Sequence, residues 1–265
     1  MRRLALIGFG GLGRIVAQHL RSDPKLRFVA VGARAHQAEA IRALLGDVPV
    51  VESADALLAC RPDLVVECAS HGAFKQYAEP VLGGGIEMIA VSSGVLADGG
   101  YRERVLRTAE AAGASLEIPA GAIGAIDVIA AARAVGLAHV AYVTRKNPKA
   151  WRNTPAAEMV DLDRVSAPEL FFDEAADRAA LVFTDKANVC ATLAIAGIGF
   201  ERTRAQFWVD PGVTKSVHHI EAEGPCGTLR IELANNVAPS NGKASLLTAM
   251  SIVRAVRNRS AVLRI

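Results

Sequence analysis

The sequence predicts an α/β protein: a doubly wound parallel sheet, then a second, α+β domain with a mixed or antiparallel sheet. Three observations predict it. Up to about residue 118, short apolar runs alternate with amphipathic stretches of helical period. A cluster of glycines follows the first run. After Pro119 the rhythm changes, and strand-like runs succeed one another through turns.

The first run, residues 3–8 (RLALIG), is continuously apolar, as a strand buried on both faces of a parallel sheet must be. Residues 11–20 then place Leu12, Ile15, Val16 and Leu20 on one helical stripe. Strands are expected at 28–31, 48–51, 64–67, 86–91 and 115–118. Helices are expected at 37–45, stopped by Gly46, at 73–82, stopped by three glycines, and at 101–112. Such alternation implies right-handed βαβ units with helices on both sheet faces. Beyond Pro119, a helix is expected from about residue 124 to 135 and a strand at 138–145. A polar, proline-dotted loop, 146–155, comes next. Helical patterns at 174–181 and 186–195 precede strands at 204–209, 216–223 and 228–233. The turn Glu223-Gly224-Pro225 favours antiparallel pairing of the last two. A final helix is expected at 244–257. The division is therefore 1–120 for a dinucleotide-binding domain and 121–239 for a substrate and dimerisation domain. Residues 240–265 should pack back on the first.

Composition narrows the function. The chain has 265 residues, room for one large domain or two modest ones. Half of it (51%) is hydrophobic and 22% is charged, which suits a sizeable core and excludes disorder. A net charge of +3 and 5% aromatics argue against a nucleic-acid partner. The four cysteines, Cys60, Cys68, Cys190 and Cys226, lack metal-site or CxxC spacing and read as reduced thiols. The apolar N-terminal run breaks on glycines before it could serve as a signal peptide. No stretch reaches the roughly 18 apolar residues of a membrane span. The expectation is a soluble, cytoplasmic protein with no membrane partner and no bound metal.

Gly8-Phe9-Gly10-Gly11-Leu12-Gly13 fits GxGxxG, and it lies where that pattern carries meaning, between an apolar strand and a helix. Gly8 permits the tight turn. Gly10 lets the backbone approach a pyrophosphate, and Gly13 allows close helix–strand packing. The helix start supplies amide donors and a partial positive charge. This is the signature of a Rossmann-type domain, and NADP and/or NAD is the expected cofactor. An NAD-selective site places Asp or Glu about 20 residues on, to hold the ribose diol. Here Val31-Gly32-Ala33-Arg34 stands instead. Arg34 reads either as a partner for a 2′-phosphate or as a solvated cation.

Six histidines are candidates for proton transfer: His19, His36, His71, His139, His218 and His219. His19 and His36 read as surface residues. His71 follows the fourth strand and reads either as part of a helix-capping turn or as a site residue. His218 and His219, adjacent in a strand, point to opposite faces, so at most one can face a cleft. Asn188 opens a helical pattern. Arg145 and Lys146 end a strand, where they could hold substrate carboxylates or be solvated.

The combination resembles the L-aspartate dehydrogenase family. Residues 7–13 (IGFGGLG), 63–70 (DLVVECAS), 118–124 (IPAGAIG), 144–148 (TRKNP), 186–189 (KANV), 217–224 (VHHIEAEG) and 239–245 (PSNGKAS) carry the resemblance, in order, over nearly the whole chain. It implies NAD(P)-dependent oxidative deamination of L-aspartate to iminoaspartate, which water converts to oxaloacetate and ammonia, and the reverse amination. It implies that His218 is the catalytic histidine, that Ala122 meets the cofactor through its backbone amide, and that Asn188 is another cofactor contact. A histidine of ordinary basicity, about 6.5, would accept a proton and later activate water. Aspartate's two carboxylates need cations; Arg145, Lys146 and Lys243 are the candidates. A homodimer is expected, with a small-molecule substrate as the other partner. Asn147 and Gly242 stand where the family often has Pro, which bears on substrate range. The rival readings are another two-domain NAD(P) reductase, such as dihydrodipicolinate reductase, and a non-catalytic NAD(P)H sensor. No lysine and PSGT-type turn of the reductase kind follows the histidine pair.

Overall fold

The computed structural model describes residues 1–184, 186–236 and 245–264. The chain divides into two compact units. One holds residues 1–119 with 248–264; the other holds 120–236 with 245–247.

In the first unit the strands are β1 (Arg2–Ile7), β2 (Leu26–Gly32), β3 (Val50–Val51), β4 (Leu64–Glu67), β5 (Glu87–Ala90) and β6 (Leu116–Glu117). They form one parallel six-stranded sheet in the order β3-β2-β1-β4-β5-β6. β1 is central because Leu4, Ala5 and Leu6 are buried on both faces. The connecting helices are α1 (Gly11–Leu20), α2 (Ala38–Leu45), α3 (Ala54–Ala59), α4 (His71–Gly83) and α5 (Gly99–Ala111). α1 buries the expected stripe through Ile15, Val16 and Leu20. Strand order reverses between β1 and β4, and ligands bind outside the strand ends at such a point.

The second unit contains α6 (Ile126–Arg133), β7 (His139–Lys146), α7 (Pro148–Trp151), α8 (Ala156–Met159), β8 (Glu169–Ala175), α9 (Ala176–Val182) and α10 (Asn188–Ala196). β9 (Arg204–Val209), β10 (Ser216–Gly224) and β11 (Gly227–Asn235) follow. Its sheet runs β11-β10-β7-β9-β8. β7 and β9 are parallel and the other pairs antiparallel, so the sheet is mixed. The few aromatic residues concentrate in its core. Trp151 stacks on Phe207 at 5.6 Å between centroids, and Phe183 meets Phe207 at 5.0 Å.

The last helix, α11 (Leu246–Asn258), and the turn after it are tied to the first unit. Arg259 pairs with Glu87 at 3.4 Å and with Glu117. Arg257 pairs with Asp23 at 3.6 Å, and Lys25 Nζ donates to the Ser260 carbonyl at 3.0 Å.

Four elements depart from the sequence expectation; α7 and α8 are four residues each, α7 inside the expected 146–155 loop and α8 just past it. α3 is only six residues, too short for a periodic signal, and starts where Ser53 Oγ accepts from Ala56 N at 3.2 Å. β8 was not expected, and residues 174–181 were read as helix from the start. A register shift between Leu170 and Phe172 breaks the alternation that marks a strand, and the helix begins only at Ala176. Among the described residues, no helix is long and apolar enough to cross a membrane.

Candidate functional site

The glycine turn joins β1 to α1 with the geometry a bound pyrophosphate requires. Gly8 has φ +91°, and a Cβ there would meet Ala69 Cβ at 2.7 Å. A Cβ on Gly13 would lie 2.0 Å from the Gly8 carbonyl oxygen. Both positions therefore exclude side chains. A Cβ on Gly10 would meet nothing within 4 Å, so the open side of the turn faces space that a ligand can fill. The first helical bond runs from Arg14 N to Gly10 O, which leaves the amides of Gly11, Leu12 and Gly13 without intrahelical acceptors. The Phe9 carbonyl is held by Gln37 Nε2 at 3.0 Å and Arg14 Nε at 3.2 Å. These residues fit a dinucleotide. Arg34 lies just past β2, exposed, and its side chain makes no hydrogen bond or ion pair among the described residues.

Glu67 was not singled out from the sequence. It ends β4 and is fully buried. Its Oε1 accepts from Ala69 N at 2.6 Å, Ser70 N at 3.0 Å and Ser92 Oγ at 2.9 Å; Oε2 accepts from Ser92 N at 3.1 Å. Burial pushes its carboxyl upward from the ordinary carboxylate range, against the pull of these bonds. The carboxylate joins the segments after β4 and β5 and places Ala69 against the Gly8 turn. Its signal is a carboxylate closing an apolar strand, where only a satisfied acceptor tolerates burial.

In the second unit, β10 turns His218 inward and His219 outward. His218 is 4% exposed, and its Nδ1 lies 2.7 Å from Tyr142 Oη. The two rings are nearly parallel, 5.9 Å apart. His219 is half-exposed and meets Glu221 at 3.2 Å. His218 does not have the ordinary basicity expected of it. Burial, reinforced by the charge of Lys146, pushes it down to about 3, so the imidazole is neutral at working pH. Lys146 is lowered to about 8 by burial and by Lys186 beside it, and its Nζ sits 4.9 Å from the centre of the Trp151 ring. Lys186 was quoted within a motif but not singled out. Its effect on Lys146 comes from the fold, which brings the approach to α10 near the end of β7.

Ala122 is 6% exposed and precedes α6, whose N-cap residue Ala125 is left-handed at φ +59°. Asn235 Nδ2 donates to the Ala122 carbonyl at 2.5 Å and so fixes that loop. Asn188 is the first residue of α10, and its carbonyl accepts from Thr192 Oγ1 at 2.9 Å. Arg145 is not brought to the His218 side. Alternation along β7 turns it to the other face, where Nη2 and Nε bind Asp210 Oδ2 at 2.6 and 3.1 Å. Lys243 and Gly242 lie outside the described residues. His71 is the first residue of α4, next to the Ser70 cap that accepts from Ala73 N at 3.2 Å. Among the described residues no cluster of His, Cys, Asp or Glu could hold a metal ion.

Two family models match the chain: "Aspartate dehydrogenase, C-terminal" over residues 127–259 and "Homoserine dehydrogenase, NAD binding domain" over residues 8–119. Among curated proteins, an L-aspartate dehydrogenase of Ralstonia nicotianae is 40% identical over 98% of both chains. One from Acinetobacter baumannii is 40% identical over 97% of both. Among solved structures, the aspartate dehydrogenase of Thermotoga maritima superposes with a TM-score of 0.78 at 22% identity, covering 100% of this chain and 99% of that one. That last likeness speaks for the fold.

Proposed function

This chain belongs to the aspartate dehydrogenase family, and we infer that it is an NAD(P)-dependent L-aspartate dehydrogenase whose proton transfers run through His218. A bound nicotinamide would supply the acceptor for hydride from the substrate Cα. The amine must reach that step neutral, so a proton acceptor is needed. His218 supplies a neutral imidazole, since burial keeps it unprotonated. With a substrate carboxylate beside it raising its basicity from that low value, it would take the proton, and it then orients the water that adds to the imine carbon. The products are oxaloacetate and ammonia, and reversal gives amination. The observation that carries the reading is this buried imidazole beside a lysine of lowered basicity.

Lys146 is the candidate for a substrate carboxylate, with Lys186 reinforcing the positive field; a dicarboxylate at that position would offset the Lys146 share of the depression of His218, the larger share coming from burial. The amides of Gly11, Leu12 and Gly13 would hold the cofactor pyrophosphate, with Ala122 and Asn188 as further cofactor contacts. Arg34, exposed where NAD-selective sites carry an acid, favours NADP(H). We place the enzyme in the cytoplasm, where its four free cysteines stay reduced. A homodimer formed through the open face of the second sheet is the assembly that the half-buried Val143, Gln206, Trp208 and Val217 support.

Incubation with L-aspartate and NAD⁺ or NADP⁺, followed by the absorbance of the reduced cofactor, tests the reading. Aspartate-dependent reduction is expected. Cofactor binding without turnover would instead support a sensor. Arg34→Ala should weaken NADP(H) binding about tenfold or more and leave NAD(H) binding nearly unchanged. Equal NADP(H) affinity in wild type and variant removes Arg34 from the site.

A further inference from the structure

We propose that Arg14 and Arg34 form a two-arm clamp for a phosphate on the 2′ position of the adenosine ribose, so that two cations, one from α1 and one from the turn after β2, set the preference for NADP(H). The proposal rests on the reading of that turn as the adenosine-ribose site, and it adds Arg14 to the site.

The glycine fingerprint ends at Gly13, so position 14 carries no signal within it. The fold supplies one. Arg14 is the fourth residue of α1 and is exposed. Its Nε donates to the Phe9 carbonyl at 3.2 Å, and its guanidinium lies 5.4 Å from the centre of the Phe9 ring. The same carbonyl accepts from Gln37 Nε2 at 3.0 Å. Side chains from two elements therefore meet on one oxygen, which ties the turn after β2 to the start of α1. The backbone N of Gln37 donates to the Arg34 carbonyl at 2.9 Å. Glu52, just past β3, accepts from Ala35 N at 2.8 Å. The backbone that carries Arg34 is thus fixed, and Arg14 is joined to it through the shared Phe9 carbonyl.

Both guanidiniums keep N–H groups for a ligand. An arginine presents five in a fixed fork. Arg14 uses one of them on Phe9, and among the described residues Arg34 uses none. Glu52 is engaged by the Ala35 amide and, among the described residues, pairs with neither arginine. A phosphate monoester brings roughly two negative charges and three acceptor oxygens. One guanidinium satisfies two of those oxygens as a bidentate pair. The third oxygen and the remaining charge call for a second cation. NAD(H) carries only a hydroxyl at that position and leaves both forks unpaired. The bond from Nε to Phe9 also orders the Arg14 side chain before the ligand arrives, so less rotamer freedom is lost on binding.

Isothermal titration calorimetry with adenosine 2′,5′-bisphosphate and with AMP, which differ only in the 2′-phosphate, reads the clamp without turnover. The wild type should bind the bisphosphate about 100-fold more tightly than AMP, and rising salt should shrink that ratio because both arginines are exposed. Arg14→Met should cut the ratio about tenfold, Arg34→Met likewise, and the double substitution should abolish it. Arg14→Lys keeps the charge but loses the fork, so it should restore only part of the ratio. A wild-type ratio in Arg14→Met, with AMP binding as the sign of an intact site, overturns the proposal. If Arg34→Met lowers the ratio in that case, the reading of the turn after β2 stands without the clamp. Equal binding of the two nucleotides by the wild type overturns the clamp and the preference for NADP(H) together.

Discussion

Lys146 owes its lowered basicity to where β7 delivers it, beside the Trp151 ring and in the field of Lys186. At about 8 it is charged below that pH and neutral above. If its charge holds a substrate carboxylate, the aspartate KM should rise as pH passes upward through about 8, by up to tenfold per unit. Lys146→Met should raise KM about 10–100-fold at neutral pH and abolish that rise. A wild-type KM level across that range contradicts the assignment. The same substitution removes a cation near His218, so its imidazole should become more basic. At this scale the glycine fingerprint was legible from its spacing, whereas strand alternation admitted only one histidine of the pair and the choice of His218 was what the family resemblance implied. The depressed basicity of His218 was not legible. It depends on burial and on a lysine 72 positions earlier in the chain. Arg145 could not be separated from Lys146 by proximity to the loop; only the pairing of β7 shows that Asp210 occupies it.

Glu67 shows how one buried side chain holds two elements in register. Its four bonds tie the ends of β4 and β5 together, and no water is available to replace them. Glu67→Gln puts an amide N–H₂ against an N–H donor whichever way it turns. The substitution should cost about 2–3 kcal/mol in urea unfolding and weaken cofactor binding, because Ala69 would no longer be held against Gly8. An unchanged unfolding midpoint contradicts this account. Elements with a clean period, such as β1, β4, β9 and α1, were legible within a residue or two. Those that failed had physical causes: the register shift in β8 and the brevity of α3, α7 and α8.

In the whole molecule, the two units differ in how they are built. The first relies on apolar strands and glycine turns, and the second gathers the rings of Trp151, Phe172, Phe183 and Phe207 behind a sheet whose other face stays half-exposed. Pairing of that face with a second copy predicts a solution mass of twice 27.8 kDa by light scattering, reduced to the monomer by Val143→Lys. A wild-type monomer at micromolar concentration would contradict it. The switch from parallel to mixed pairing after Pro119 was legible as a change of rhythm, but the parallel β7–β9 pair was not, because its strands are separated by four helices. The proposed chemistry is oxidation of L-aspartate with NAD(P), its proton transfers running through His218. The most direct test is the initial rate of aspartate-dependent cofactor reduction by wild type and His218→Ala, at saturating cofactor. Robust reduction by the wild type and a kcat lower by about 10²–10⁴ in the variant, with cofactor affinity retained, are expected. Near-normal turnover by the variant would contradict it.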